Sequence, residues 1–309
     1  IAFYRNGDAT SGDGDGTSWT ETEITTAADV ARSVYAADID GDGDTDVLSA
    51  SNGDDTIAFY QNGDGTSGNG DGSMWSETEI TTSADGAFSV YAADIDGDGD
   101  TDVLSTSANN GKILFYRNGN ASGDGDGTTW TETEVAAGVD RAQSVFAADI
   151  DGDGDKDVLS ASRNDDTIAF YRNGDATSGG GDGSAWTEAE ITTGADGARS
   201  VYAADIDGDG DLDVLSASPR DDTIAWYGNE RVTEVPALSF VALAEGAGLV
   251  PFGATGVAID FAVGTTRVGN ATVARFDGAP SGTAGLPAGD NVSSYRTVIT
   301  ADAGLTVGA

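Results

Sequence analysis

Four short segments of the chain carry aspartate at a high density and a fixed spacing. The first runs Asp38-Ile-Asp-Gly-Asp-Gly-Asp-Thr-Asp46 and leads into an apolar strand-like run. Carboxylates at positions 1, 3, 5 and 9, with glycine at position 6 for a sharp turn, resemble the first part of an EF-hand loop and suit a hard cation such as Ca²⁺. Position 7 would ligate through its backbone carbonyl. Position 9 must complete the cage, because Ser49 stands where an EF-hand has its bidentate glutamate.

The segment recurs three more times, so we expect about one Ca²⁺ per repeat and four in all. Two carboxylates about 4 Å apart repel by roughly 1 kcal/mol even in water, so five in nine residues are unfavourable without a cation. A lone run of this kind would equally well be a solvated acidic turn, whereas four copies behind similar apolar strands favour ion binding. The candidate metal ligands are Asp38, Asp40, Asp42, Asp44, Asp46, Asp94, Asp96, Asp98, Asp100, Asp102, Asp149, Asp151, Asp153, Asp155, Asp157, Asp205, Asp207, Asp209, Asp211 and Asp213.

The composition argues against several other kinds of chemistry. The 309 residues include 54 acidic and 14 basic side chains, a formal charge of −40, and neither His nor Cys. Disulfides, thiolate zinc sites, thiol nucleophiles and the usual general base are therefore excluded. The negative charge repels nucleic acid, so no nucleic-acid partner is expected. The longest apolar stretch is about half of what a membrane-spanning helix needs, so no membrane insertion is expected.

The acidic segments belong to a longer repeat that covers residues 1–229. Ile1 recurs as Ile57, Ile113, Ile168 and Ile224, which gives a period of 55 or 56 residues. In the second repeat, alternation and turn residues predict strands at Thr56–Gln61, Trp75–Thr82, Phe88–Ile95 and Val103–Ser107. Four strands per repeat predict an all-β fold, a β-propeller of four-stranded blades, with a β-solenoid as the competing architecture. Four repeats are visible, and they can be part of a larger ring.

The composition changes after Asn229. Residues 230–309 lack the acidic loop and contain four of the five prolines. Alternating stretches at Thr266–Phe276 and Tyr295–Thr300 predict strands, so we expect a second, β-sandwich-like module that can be incomplete.

Two further features recur in each repeat. A Gly/Asp-rich loop precedes each tryptophan and is interpreted as a flexible hairpin tip, with weak cation binding as the alternative. The tryptophans Trp19, Trp75, Trp130 and Trp186 could stack on sugars, but a fixed position in each repeat favours a role in packing.

The acidic segment and its flanks carry a resemblance to a known family. The sequence from Val34 to Asp44, Val-Tyr-Ala-Ala-Asp-Ile-Asp-Gly-Asp-Gly-Asp, followed by Asp-Val-Leu-Ser-Ala-Ser, resembles the FG-GAP/VCBS repeats of integrin-α-like propellers. The resemblance implies propellers that commonly have seven blades, and Ca²⁺ bound in an Asp-x-Asp-x-Asp-Gly-x-x-Asp loop. It also implies extracellular adhesion, carbohydrate-contacting or structural modules. The number of visible repeats departs from a complete ring.

These observations lead to one functional prediction and two alternatives. We expect a non-enzymatic, secreted or cell-surface protein in which Ca²⁺ rigidifies the blades for adhesion or for assembly into extracellular fibres. Its partners would be an extracellular protein or glycan, or further copies that associate by strand addition. The alternatives are a lectin-like carbohydrate-binding propeller and a polysaccharide-active enzyme. Fourfold duplication of every acidic cluster argues against the enzyme, because an active site is normally a single asymmetric constellation.

Overall fold

The computed structural model describes residues 1–6, 16–63, 70–119, 123, 125–174 and 180–229, together with the backbone of 273–275 and 297–299. The chain divides into two compact units, Ile1–Arg231 and Val232–Ala309. In the described part of the first unit all regular structure is β. Its strands are β1 (Ala2–Asn6), β2 (Trp19–Glu23), β3 (Ala31–Ala37), β4 (Asp46–Ser51), β5 (Thr56–Asn62), β6 (Trp75–Thr81), β7 (Ala87–Ala93), β8 (Asp102–Ser107), β9 (Lys112–Asn118), β10 (Trp130–Ala137), β11 (Ala142–Ala148), β12 (Asp157–Ser162), β13 (Thr167–Asn173), β14 (Trp186–Thr192), β15 (Ser200–Ala204), β16 (Asp213–Ser218) and β17 (Thr223–Tyr227).

These strands form five antiparallel sheets in which sequence neighbours pair. Three sheets are complete, β3–β6, β7–β10 and β11–β14, whereas β1–β2 has two strands and β15–β17 has three. The prediction of repeated four-stranded sheets is confirmed, but the boundary between sheets is offset by half a sequence repeat. Each complete sheet combines the last two strands of one repeat with the first two of the next, so four visible repeats give three complete sheets. No closed ring is present among the described strands.

The first strands of successive sheets lie side by side. The Ser33 hydroxyl accepts a hydrogen bond from the Val90 amide at 3.3 Å, and the same contact is repeated between β7 and β11 and between β11 and β15. The rings of Tyr35, Tyr91, Phe146 and Tyr202 follow one another along these strands, with centroids 4.7, 5.0 and 4.7 Å apart. This register places equivalent residues of neighbouring sheets in contact.

The hydrophobic core lies between the sheets. Leu48, Ile57 and Phe59 on one sheet pack with Val90 and Tyr116 on the next, and two further clusters repeat this arrangement. Successive side chains of a strand point to opposite faces of its sheet. In the central strands of the complete sheets nearly every position is buried, so both faces are packed, as stacked twisted sheets require. Every interior sheet is therefore stabilised by both of its neighbours.

Eight of the nine large apolar side chains that are exposed in the described structure lie at the two ends of this array. Ile224 is 84% exposed, whereas its counterparts Ile57, Ile113 and Ile168 are at 0%. Val34 is 57% exposed and its counterpart Val90 only 4%. The first end face comprises Tyr4, Trp19, Val30 and Val34; the last end face comprises Tyr202, Ile206, Ile224 and Trp226.

In the second unit two short antiparallel strands are described, β18 (Val273–Arg275) and β19 (Thr297–Ile299). They fall within the predicted strands Thr266–Phe276 and Tyr295–Thr300. The prediction of a β-sandwich-like module at 230–309 otherwise lies outside the described residues.

Candidate metal centre

Each acidic loop joins the first and second strands of a sheet. The loop between β3 and β4 turns sharply at Gly41 and Gly43, whose φ angles are +74° and +92°. Side chains other than glycine adopt this backbone region only with strain, so these two positions require glycine although a Cβ atom would meet no neighbour there. The curled loop turns alternate side chains toward a common centre.

The loops bring three carboxylates together in each of the four copies. Within each group the ligand atoms lie within 4.8 Å of one another. Positions 1 and 3 belong to every group, joined by position 5 in the first loop and by position 9 in the others. The groups are Asp38, Asp40 and Asp42; Asp94, Asp96 and Asp102; Asp149, Asp151 and Asp157; and Asp205, Asp207 and Asp213.

Several of these carboxylates keep one buried oxygen without a hydrogen-bond partner. In the first loop Asp42 Oδ1 accepts the Asp44 amide at 2.8 Å, while Asp42 Oδ2 and Asp38 Oδ1 are buried and unpartnered. The second loop has one such oxygen, on Asp98, because the buried Asp96 Oδ2 is paired with Arg117, and the third has two, on Asp149 and Asp153. Buried polar atoms are normally satisfied. Clustered carboxylate oxygens without donors fit a hard divalent cation such as Ca²⁺, which takes six to eight oxygen ligands.

The aspartate at position 9 is held between the loop and the third strand. Asp102 is fully buried; its Oδ2 accepts the Ile95 amide at 3.0 Å and its Oδ1 accepts the Asn118 amide at 2.9 Å. Burial raises the pKa of Asp102 to about 7 despite these two hydrogen bonds, and it raises those of Asp46 and Asp157 to about 6. A bound cation would supply the charge compensation that these carboxylates lack.

The fourth loop differs because no further sheet follows it in the described structure. Hydrogen bonds from Asn229, Ile206 and Trp226 outweigh desolvation at Asp213, so its pKa is lowered. Asp205 and Asp207 are exposed.

The side chain at position 7 takes a different direction from the cluster. Asp44 Oδ2 accepts the Gly70 amide at 2.7 Å, and Asp155 Oδ2 accepts the Gly181 amide at 2.5 Å. Asp100 makes the same contact with Gly125. These carboxylates fasten the Gly-rich hairpin to the acidic loop, which leaves the backbone carbonyl of position 7 as its expected ligand atom.

A repeated asparagine that the sequence reasoning missed links each acidic loop to the next. Asn118 donates from Nδ2 to the Ile39 carbonyl of the preceding acidic loop at 2.7 Å, while its backbone N–H donates to Asp102 Oδ1. Asn173 and Asn229 make the same contacts with Ile95 and Ile150 at 2.8 Å. The signal was available, because an asparagine follows the aromatic strand in every repeat.

The described parts of the Gly/Asp-rich hairpins act as turn caps. Asp71, Asp126 and Asp182 each accept the amide two residues on, at 2.9 to 3.0 Å. The hydroxyl of that same serine or threonine, together with the amide, lowers the pKa values of these carboxylates. The earlier aspartates of these hairpins lie outside the described residues.

The tryptophans of the complete sheets are half-buried. The Trp186 indole donates to the Gly183 carbonyl at 3.1 Å and meets the Phe115 ring of the preceding sheet edge-on at 6.5 Å. Trp75 and Trp130 make the same indole hydrogen bond. Trp19 is exposed at the first end of the array. These contacts favour the packing interpretation.

Comparison with known proteins identifies the family. The profile of the FG-GAP-like repeat matches four times, at residues 2–49, 38–105, 96–160 and 149–216. The chain therefore belongs to the FG-GAP-like repeat family, as the sequence motif predicted. Within the described residues there is no helix of the length and apolarity that crossing a bilayer would need.

No curated protein sequence matches the chain significantly. Among solved structures, the chain is similar to the V. cholerae biofilm matrix protein Bap1, with 22% identity, coverage of 63% of this chain and 26% of that one, and a TM-score of 0.38. A putative 6-phosphogluconolactonase from Bacteroides uniformis shows 14% identity, coverage of 66% and 51%, and a TM-score of 0.43. The Bacillus licheniformis rhamnogalacturonan lyase PL11 shows 14% identity, coverage of 61% of this chain and 41% of that one, and a TM-score of 0.35. The chain thus spans about a quarter to a half of the length of these proteins.

Proposed function

We propose that the protein is a non-enzymatic, calcium-stabilised structural module of extracellular assemblies. The supporting observation is the set of buried, unpartnered carboxylate oxygens that recurs in the first three acidic loops. Extracellular calcium modules bind at roughly 10⁻⁴–10⁻³ M, so millimolar external Ca²⁺ would keep such sites filled. The bound ions would also reduce the self-repulsion of a chain with a charge of −40.

The same repetition supports a scaffold rather than a catalyst. The acidic groups occur four times in equivalent positions. The tryptophans of the complete sheets already use their indole N–H groups within their own hairpins, which weakens the lectin alternative.

We infer that the sheets are successive blades of a propeller. Equivalent rings on neighbouring first strands are inclined by 49°, 53° and 53°. When one rotation relates equivalent rings, the angle between their planes cannot exceed the angle of that rotation. Since 360° divided by about 52° is close to seven, a closed ring of these blades would hold no more than about seven, within the range known for propellers.

The partner we propose is a second copy of the chain. The residues exposed at the last end face are those that every interior sheet buries against the next sheet, and the first end face presents the complementary side. Docking one end on the other would extend an interface that the chain already contains three times. Such a head-to-tail contact leaves one end face free for a further copy. Repetition of the contact produces a fibre, unless the rotation between successive copies closes them into a ring. Binding of an extracellular protein or glycan stays a prediction.

Thermal or urea unfolding with and without calcium tests the functional proposal. One site with a Kd of 10⁻⁴–10⁻³ M stabilises by about 0.6–1.8 kcal/mol at about 2 mM Ca²⁺, so four sites give about 3–7 kcal/mol. Asp153→Asn should remove one site's share, whereas Asp182→Asn, a turn cap outside the acidic loops, should leave the calcium effect unchanged. A stability that EDTA does not alter would refute the proposal.

A further inference from the structure

One position at the end of the third strand lies beside the acidic loop and differs among the repeats. It lies between the tyrosine and the asparagine that end the strand, and it is Gln61, Arg117, Arg172 and Gly228 in chain order. The loops themselves differ only at position 8, which is Thr45, Thr101, the exposed Lys156 and Leu212, so the third-strand position is what separates the second and third sites in charge from the first and fourth.

The three side chains at this position contact the carboxylate at loop position 3, whereas Gly228 has no side chain to do so. Arg117 pairs through Nε with Asp96 Oδ2, and Arg172 pairs through Nε with Asp151 Oδ2. Gln61 donates from its neutral amide to Asp40 Oδ2. The Asp96 side chain is 2% exposed, so the Arg117 guanidinium lies close to a nearly desolvated carboxylate.

Arg117 is also anchored from its other side. Its Nη2 donates to the Asp182 carbonyl in the hairpin of the next sheet at 2.6 Å. Arg5 makes the equivalent contact with the Asp71 carbonyl, although the described structure has no acidic loop in its sheet. The hairpin contact therefore belongs to this strand position, and contact with the acidic loop is an additional role of Arg117.

We propose that this position divides the four sites into two affinity classes for divalent cations. The inference rests on the proposed calcium function and concerns its tuning. A guanidinium beside a ligand carboxylate repels an incoming Ca²⁺. Its ion pair with that carboxylate must also weaken before the carboxylate oxygens can ligate the ion. The loops beside Arg117 and Arg172 bind weakly, and the loops beside Gln61 and Gly228 bind tightly. At intermediate calcium concentrations the middle of the array is held by arginine while its two ends are held by ions.

Calcium titration calorimetry of the full chain tests this proposal, with exchanges between residues that the chain itself uses at this position. Arg172→Gln should tighten one weak site by about tenfold or more, the effect expected of a unit charge a few Å from a divalent ion even in water. Arg117→Gln should do the same, and Gln61→Arg should weaken one tight site by a similar factor. Arg5→Gln is the matched control and should leave every site unchanged.

The outcomes separate this inference from the function on which it rests. A gain of affinity in Arg172→Gln cannot result from misfolding. Four equal sites that none of these exchanges alters, or weaker binding in Arg172→Gln, would overturn the inference and leave calcium binding intact. A wild-type chain that binds no calcium would overturn both proposals.

Discussion

The asparagine link between successive acidic loops makes a quantitative prediction for Asn173→Ala. Asn173 is fully buried, donates from Nδ2 to the Ile95 carbonyl at 2.8 Å and accepts the Gly183 amide at Oδ1 at 2.9 Å. Truncation leaves both backbone groups without this partner. Since a buried polar group left unsatisfied costs about 1–3 kcal/mol, we expect a loss of about 2–6 kcal/mol in the free energy of unfolding. Typical domains have only about 5–15 kcal/mol in total.

Urea unfolding in excess calcium measures this loss, with the midpoint and the slope fitted together. Asn6→Ala is the matched control. Asn6 occupies the same strand position, but it accepts the amide of exposed Gly16 and has no preceding acidic loop in the described structure. Its substitution should cost no more than about 1 kcal/mol. If Asn173→Ala were as stable as Asn6→Ala, the asparagine would not be the link that the geometry indicates.

Three further predictions concern the metal-free loops, the hairpins and the end faces. In EDTA, the free energy of unfolding should rise as the pH is lowered from about 8 to about 5, because the raised pKa values of Asp46, Asp102 and Asp157 make the folded chain bind more protons than the unfolded one in this range. A flat or opposite trend by circular dichroism would contradict the assignment of these carboxylates as buried and uncompensated. Gly127→Ala should cost about 2–4 kcal/mol, since φ is +74° and the new Cβ would lie 2.6 Å from Phe59 Cε1; Gly194→Ala, where the nearest atom is 3.7 Å away, should be nearly neutral in the same denaturation assay. Ile224→Asp should abolish concentration-dependent association in sedimentation velocity, whereas Met74→Asp, an exposed residue away from both ends, should not; a wild-type chain that stays monomeric at high concentration would refute the second-copy proposal.

The strands were predictable because each carries a local signal. The predicted strand Thr56–Gln61 is observed as Thr56–Asn62, and Trp75–Thr82 as Trp75–Thr81. The grouping of strands into sheets was not predictable in the same way. A sequence period fixes the length of the unit but not its phase, and the sheet boundary falls where the chain crosses from β6 to β7, which the pattern of apolar residues does not mark.

The clustering of the aspartates was predictable, but their surroundings were not. Their spacing indicated that alternate side chains of the loop face one way, and positions 1 and 3 do meet position 5 or 9 in each copy; that these aspartates bind calcium stays a prediction. The contacts of Asn118 and Arg117 reach into neighbouring sheets, and no local spacing encodes them. Ligation by the backbone carbonyl of Asp44 was predicted only by analogy with an EF-hand loop. The hydrogen bond from the Gly70 amide to Asp44 Oδ2 gives the physical reason, because it turns the side chain away from the carboxylate group.

The most direct test of the account is the number and position of calcium ions bound by the chain. A crystal structure in millimolar calcium, with anomalous difference maps, measures both. The account predicts one ion in each acidic loop, four in all, ligated by the aspartates at positions 1, 3, 5 and 9 and by the carbonyl at position 7, with oxygen distances of about 2.3–2.6 Å. Empty loops whose aspartates point into solvent would contradict it.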